Sequence, residues 1–215
     1  MASFIHRHGR EHARGGTRGR LLDRGWRYDL EVWFIDTFLL RGQVRDLRRM
    51  VLDLAELRGG HTVLDVGCGT GTLAIGAAAR VGAAGRVAAI DPAPRQIARA
   101  RSKAKRAGLT IDFRVAAIEA LPFPDESFDA VTSTLMMHHL PDDLKRQGLS
   151  EIRRVLRPGG RLMVCDFKSA ETNVRDLTEL ITKSAFAAVE AQEVPFPRIH
   201  GGWSGAILVA GMVRS

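Results

Sequence analysis

VLDVGCGTGTLAIG, residues 63–76, is the stretch that decides the fold. Val63, Leu64 and Val66 make the short apolar run of a buried strand, and Leu73 to Val81 resumes at helical spacing. Between them stand Gly67, Gly69 and Gly71. Glycines in that place let the backbone turn sharply and let a ligand come nearer than a Cβ would allow. The spacing is Gly-x-Gly-x-Gly, with Thr72 where a dinucleotide fingerprint needs its third glycine. A nucleoside without a pyrophosphate suits that turn better. Asp91 ends the next strand, Arg86 to Ile90, where a carboxylate can accept hydrogen bonds from both ribose hydroxyls.

Outward from this loop, segments of two periods alternate. Val44, Leu47, Val51 and Leu54 fall on one helical face, and Gly59-Gly60 ends that helix. A Pro-initiated helix at 93–107 carries Ala93, Ile97, Ala100, Ala104 and Ala107 on one face and Arg95, Arg99, Lys103 and Arg106 on another, which reads as a solvated surface. Strands are expected near 111–116 and at 128–132, then a helix started by Asp142 and Asp143 with Gly148 on its inner face. RPGG, 157–160, turns the chain into the strand RLMVCDF. After a helix at 173–186, the runs AAVEAQEV and GAILVAGMV leave no room for a helix between them and should pair antiparallel. The expectation is an α/β fold with six parallel strands, a seventh inserted antiparallel, and helices on both faces.

The net charge of +8 is concentrated in two places. Residues 1–20 hold five Arg and three His among glycines, cannot build a core, and read as a disordered arm and a poor transit peptide. The other place is the basic helix face. Cys68 and Cys165 stand far apart, which supports neither a disulfide framework nor a metal site and suits a reducing, cytoplasmic compartment. LEVWFIDTFLL, 30–40, is about half the ~20 residues a bilayer requires and carries Glu31 and Asp36, so it reads as an amphipathic helix folded onto the domain. Trp26, Trp33 and Phe34 read as the core of that lid helix, with an acceptor-stacking surface as the alternative. The organisation expected is an arm at 1–20, a helical lid at 21–58 and one domain at 59–215.

The ordered series VLDVGCGTGTLAIG, VAAIDPAPRQIARAR, EALPFPDESFDAV, MMHHLPDD and RRVLRPGGRLMVCDF resembles the class I S-adenosylmethionine-dependent methyltransferases, and among them the UbiE-like small-molecule enzymes, over about residues 43–166. The resemblance implies a Rossmann-like methyltransferase fold and S-adenosyl-L-methionine as cofactor. It implies that Asp65, Gly67, Cys68, Gly69, Thr70 and Gly71 line the methionine moiety, that Asp91 and Pro92 hold the ribose and adenine side, and that Thr134 touches the cofactor. Where the family often has an Asp for the adenine amino group, this chain has Ala117, followed by Ile118 and Glu119. Adenine would then rest on backbone groups and apolar packing.

Methyl transfer is an in-line displacement, so the protein chiefly positions its reactants and excludes water, and a base is needed only when the acceptor is protonated. Candidates on the carboxyl-end rim are His138 and His139, Tyr28 and Asp29 before the lid helix, and His200 and Trp203 in the last hairpin loop. His138 is the candidate catalytic residue, weighed against a histidine that only shapes the turn. The leading expectation is an enzyme for a small aromatic, quinone-like or lipid acceptor. Two others stand beside it: an RNA or protein methyltransferase whose basic arm tracks phosphates, and a non-catalytic cofactor-binding protein. Peripheral docking of the arm and lid on anionic lipid is a variant of the first.

Overall fold

A computed structural model describes residues 17–19, 22–34, 42–168, 173–195 and 205–214. The elements run α1 (Trp26–Phe34), α2 (Gln43–Leu54), β1 (Thr62–Val66), α3 (Thr72–Val81), β2 (Arg86–Asp91), α4 (Pro94–Arg106), β3 (Asp112–Val115) and β4 (Phe128–Thr134). A 3-10 turn (Met137–His139) precedes α5 (Asp142–Val155), β5 (Leu156–Lys168), α6 (Val174–Lys183), β6 (Ala187–Pro195) and β7 (Gly205–Met212).

The seven strands form one sheet in the order β3-β2-β1-β4-β5-β7-β6. Strands β1 to β5 pair in parallel, and β7 lies antiparallel between β5 and β6, as the helix-free hairpin required. Alternate residues of the central strands serve opposite faces, and both are apolar, because helices cover both. Val63, Ala89, Ala130 and Met163 pack with Leu47 and Val51 of α2 and Ile97 of α4. Leu64, Ile90, Val131 and Leu162 pack with Leu149 and Ile152 of α5 and Ile181 of α6. The order reverses between β1 and β4, the switch point at which open sheets of this kind leave a crevice.

Four expectations change. RPGG is not a separate turn before β5 but a bulge within it, where the register against β4 jumps from Phe128–Leu156 to Ala130–Arg161 and Gly159 takes a left-handed φ of 74°. Ala107 is exposed beyond the end of α4, so the inner face of that helix is Ala93, Gln96, Ile97, Ala100 and Ala104. The N-terminal helix spans 26–34 and includes Tyr28 and Asp29, while residues 35–41 lie outside the described residues. None of its side chains is buried: Trp26, Trp33 and Phe34 are 59%, 56% and 54% exposed, so they are not a core. Nine residues of helix cannot fold by packing a face they turn outward, and polar contacts hold this one. No described helix is long and apolar enough to cross a membrane.

Candidate active site

Asp65, Gly67, Cys68, Gly69, Thr70, Asp91, Pro92, Ala117, Ile118 and Thr134 line one cavity at the carboxyl ends of the parallel strands. Gly71 and His138 are not among its walls, and His200 and Trp203 lie outside the described residues.

The loop after β1 folds back on β2. The N–H groups of Gly67 and Cys68 both donate to the Ile90 carbonyl at 2.9 Å, which requires left-handed backbone at Gly67 (φ 73°). A Cβ there would stand 2.4 Å from Cγ of Met136, so this glycine also makes room for the segment after β4. Gly71 has a different task from the one expected. A Cβ on it would meet the Ala100 Cβ at 2.9 Å and the Phe113 ring at 3.0 Å, so it lets α3, α4 and β3 approach closely.

Asp91 braces the loop. Its Oδ2 accepts from the Gly69 N–H and its Oδ1 from the Ala93 N–H, each at 2.9 Å. Burial outweighs both bonds and pushes the carboxyl up to about 6. Each oxygen keeps a lone pair for a further donor. Asp65 is more strongly affected. Burial raises it to about 7, against the opposing pull of the Thr132 hydroxyl at 3.0 Å and the Ala74 N–H. Its Oδ2 is buried without a hydrogen-bond partner. The same is true of Gln96 Oε1, Glu119 Oε2 and Thr134 Oγ1, and all four residues line this cavity. Unsatisfied buried acceptors are rare because each costs about 1–3 kcal/mol. Four around one cavity describe a surface that waits for donors.

Arg48, from α2, is the sole Lys or Arg among the described walls, and its charge opposes the upward shift of Asp65. The cover is α1. Thr70 Oγ1 donates to Asp29 Oδ1 at 2.5 Å, Arg99 Nε to Oδ2 at 2.7 Å, and Lys103 Nζ to Oδ1 at 3.2 Å. Lys103 also donates to Thr72 Oγ1 at 2.7 Å. Arg99 and Lys103 are therefore not a merely solvated face, as their spacing suggested; they pin the cover to α4 and the glycine loop. Burial pushes the Asp29 carboxyl up, but the bonds from Thr70 and Arg99 and the Lys103 charge outweigh it and hold the group below its usual value. Tyr28, the neighbour of Asp29, then lines the cavity near Gly69. Of the N-terminal arm, Thr17 is buried in the cavity wall and Arg18 pairs with Asp143.

The turn after β4 is built around a carboxylate that sequence reasoning missed. Asp166, at the end of β5 and fully buried, accepts from the His138 and Phe167 N–H groups at 2.8 Å and faces His138 Nδ1 at 2.5 Å. That pairing turns His138 toward Asp166, whereas His139, with its ring centroid 3.9 Å away, lines the cavity. Leu135 takes a left-handed φ of 56° as the chain leaves β4, the kind of strain that gathers at sites. Arg48 stands in no motif, and Gln96 and Asp166 lie within VAAIDPAPRQIARAR and RRVLRPGGRLMVCDF without a pattern there that marks them out. Only an acid at the end of a central strand, the signal that picked out Asp91, could have pointed to Asp166.

Residues 63–160 match a family described as a methyltransferase domain. The chain is 39% identical over 149 residues to the ubiquinone/menaquinone biosynthesis C-methyltransferase UbiE of Hahella chejuensis, covering 68% of this chain and 57% of that protein. It is 42% identical over 141 residues to the demethylmenaquinone methyltransferase of Thermus thermophilus, covering 66% and 61%. It thus spans about half to three-fifths of the curated relatives it matches. In fold it is similar to the [4+2]-cyclase SpnF, with a TM-score of 0.68, 23% identity and coverage of 79% and 80%. A SAM-dependent methyltransferase from Aquifex aeolicus gives 0.62, 23% identity and coverage of 77% and 89%.

Proposed function

We propose, on the premise that the chain belongs to the class I S-adenosylmethionine-dependent methyltransferases, that it methylates a small quinone-like acceptor. The observation that carries this reading is the set of unpartnered acceptors, Asp65 Oδ2, Gln96 Oε1, Glu119 Oε2 and Thr134 Oγ1, around the loop that Asp91 braces. They fit a nucleoside that bears an amino acid. Bound there, S-adenosylmethionine would supply the electrophilic methyl group on its sulfonium.

The chain's own residues bind, orient and exclude water. Asp65 Oδ2 takes the ammonium of the methionine part, and the Arg48 guanidinium takes its carboxylate, a charged pair of about the right kind for a zwitterion. Gly67, Cys68, Gly69 and Thr70 lie along that part, and Asp91 with Gln96 accepts from the ribose hydroxyls. Pro92, Ala117 and Ile118 flank the base. Thr134 closes the cavity from β4. Helix α1 covers the loop through Asp29 and keeps water out, so that nucleophile and methyl stay in line. A hydroquinone acceptor must lose a proton, and we assign that proton to His138, which stands outside the cavity walls but directly behind His139, whose ring lines them. Asp166, 2.5 Å from Nδ1, orients the ring.

A quinone-like acceptor is supported by the relatives from Hahella and Thermus, which are named for methyl transfer in quinone biosynthesis. The test is to incubate the protein with labelled S-adenosylmethionine and a reduced demethylated quinone, and separately with a metabolite extract and with total RNA. Methyl gain on the quinone ring supports the reading. No calorimetric binding of the cofactor at millimolar concentration, or label only on RNA, refutes it.

A further inference from the structure

Helices α5 and α6 hold the same face of the sheet by their apolar inner sides, Leu149 and Ile152 on the first and Leu177 and Ile181 on the second. Between their flanks runs a groove of about 570 Å³ that shares no wall residue with the cavity described above. Its two walls carry opposite charge. On α5, Arg146, Ser150 and Arg153 recur at helical spacing and present two guanidiniums with a hydroxyl between them. On α6, Asp176 and Glu179 stand one turn apart. No ion pair crosses from one wall to the other among the described residues. Glu179 Oε1 is taken by Lys183 of its own helix at 2.5 Å, and Asp176 Oδ2 by the Asn173 amide at 2.6 Å, which leaves each carboxylate one oxygen for a further donor. The side chains of Arg146, Ser150 and Arg153 make no hydrogen bond or ion pair among the described residues.

We propose that this groove is a second binding site and that it takes a small aminoalkyl phosphate, with the phosphate on the α5 wall and the ammonium on the α6 wall. Two guanidiniums flanking a hydroxyl suit a group with several acceptor oxygens, since the Arg fork binds phosphate through paired bonds. The free carboxylate oxygens opposite suit an ammonium. The net charges also match. Arg146, Arg153 and Lys183 against Asp176 and Glu179 leave the groove with one positive charge, and a phosphate monoester joined to an ammonium carries about one negative charge at neutral pH. A bare phosphate would face the two carboxylates and a bare amine the guanidiniums, so the groove selects the molecule that bears both. A phospholipid head group is a diester with less negative charge and is the poorer match. The proposal stands apart from the methyl acceptor and does not rest on it.

The test titrates the full chain with O-phosphoethanolamine, inorganic phosphate and ethanolamine while the backbone amide resonances are followed. O-phosphoethanolamine should move the amides of 146–153 and 176–185 and bind about threefold to fivefold more tightly than either fragment, the gain expected of one added exposed ion pair. Arg146→Gln combined with Arg153→Gln should abolish the binding of both phosphate compounds. Asp176→Asn combined with Glu179→Gln should erase the preference by strengthening inorganic phosphate. All four side chains are exposed, so both double variants should keep the melting temperature of the parent. The proposal is overturned if O-phosphoethanolamine does not bind, if inorganic phosphate binds as well, or if the shifts fall around the glycine loop instead of α5 and α6. It is overturned too if vesicles of phosphatidylethanolamine bind the parent and the free compound does not.

Discussion

The two sides of the cleft are built by different means. The floor, from β1 through the glycine loop to β2, is backbone geometry: positive φ at Gly67, Gly69 and Gly71, two N–H groups on one Ile90 carbonyl, and a strand-end carboxylate that braces the turn. The cover, α1 with the turn after β4, is side-chain chemistry: Asp29 among Thr70, Arg99 and Lys103, and Asp166 beneath His138. A site with a rigid floor can hold one ligand constant while its cover diverges, because the cover depends on a few long-range pairs.

The largest effect should come from attacking the floor where it packs. Gly71→Val places a branched side chain at left-handed φ against Ala100 and Phe113, and should cost about 3 kcal/mol or more of unfolding free energy in urea. A value under ~1 kcal/mol would show that this glycine is a mere loop residue. On the other side, Asp166→Ala strands two buried N–H groups and should cost about 2–3 kcal/mol. His138→Ala should cost less, since Asp166 keeps its two backbone donors. If turnover on a hydroquinone survives His138→Ala undiminished, the assignment of the proton to His138 is lost.

Asp65 gives the floor a pH signature. Its carboxyl titrates near 7 in the folded protein against about 4 when unfolded. The folded state therefore holds that proton more tightly, and the ligand-free protein should lose stability as pH rises from about 4 to about 7. An ammonium ligand needs the ionised form, so its affinity should rise over the upper part of that range, by up to about tenfold per pH unit below 7. Asp91, near 6, adds a smaller contribution of the same sign. Thermal shifts with and without S-adenosylhomocysteine at about pH 6 and about pH 8 read both trends, and Asp65→Asn should flatten them.

Asp29 carries the opposite sign. Its lowered carboxyl contributes stability above the unfolded value, and that contribution fades as pH falls through the folded one. Asp29→Asn should change global stability by only about 1 kcal/mol, yet speed hydrogen exchange across 26–34 and weaken ligand retention. Unchanged exchange there would mean that the cover is held by something else. The smallest effect belongs to Trp26→Ser. With no buried side chain in α1, it should stay within about 0.5 kcal/mol, and a larger loss would show that the outward face packs after all.

This division follows what the residues could announce. The strand-helix alternation, the helix faces and the glycine turn are short-range matters of period and Cβ, and VLDVGCGTGTLAIG displays one strand, the turn and the start of one helix within a single stretch. Gly71 stands in the loop its spacing predicts, but its packing task is not visible there, because its neighbours Ala100 and Phe113 are contributed by α4 and β3. Trp26, Trp33 and Phe34 were expected in a core because aromatic side chains usually are, and nothing local reveals that Asp29 supplies the attachment instead.

Sequence alone thus determined the sheet with its antiparallel seventh strand, the glycine loop, and Asp91 at the end of the strand that follows it, since each is encoded by neighbours along the chain, whereas Asp65 was indicated only by the family resemblance. Only the tertiary structure decided that Arg48, Gln96 and Glu119 share their cavity, that Asp166 stands under His138, and that a basic helix face is a clasp. Those groups come from segments far apart in sequence, and it is folding, with the burial it brings, that makes a guanidinium or a carboxylate part of a site.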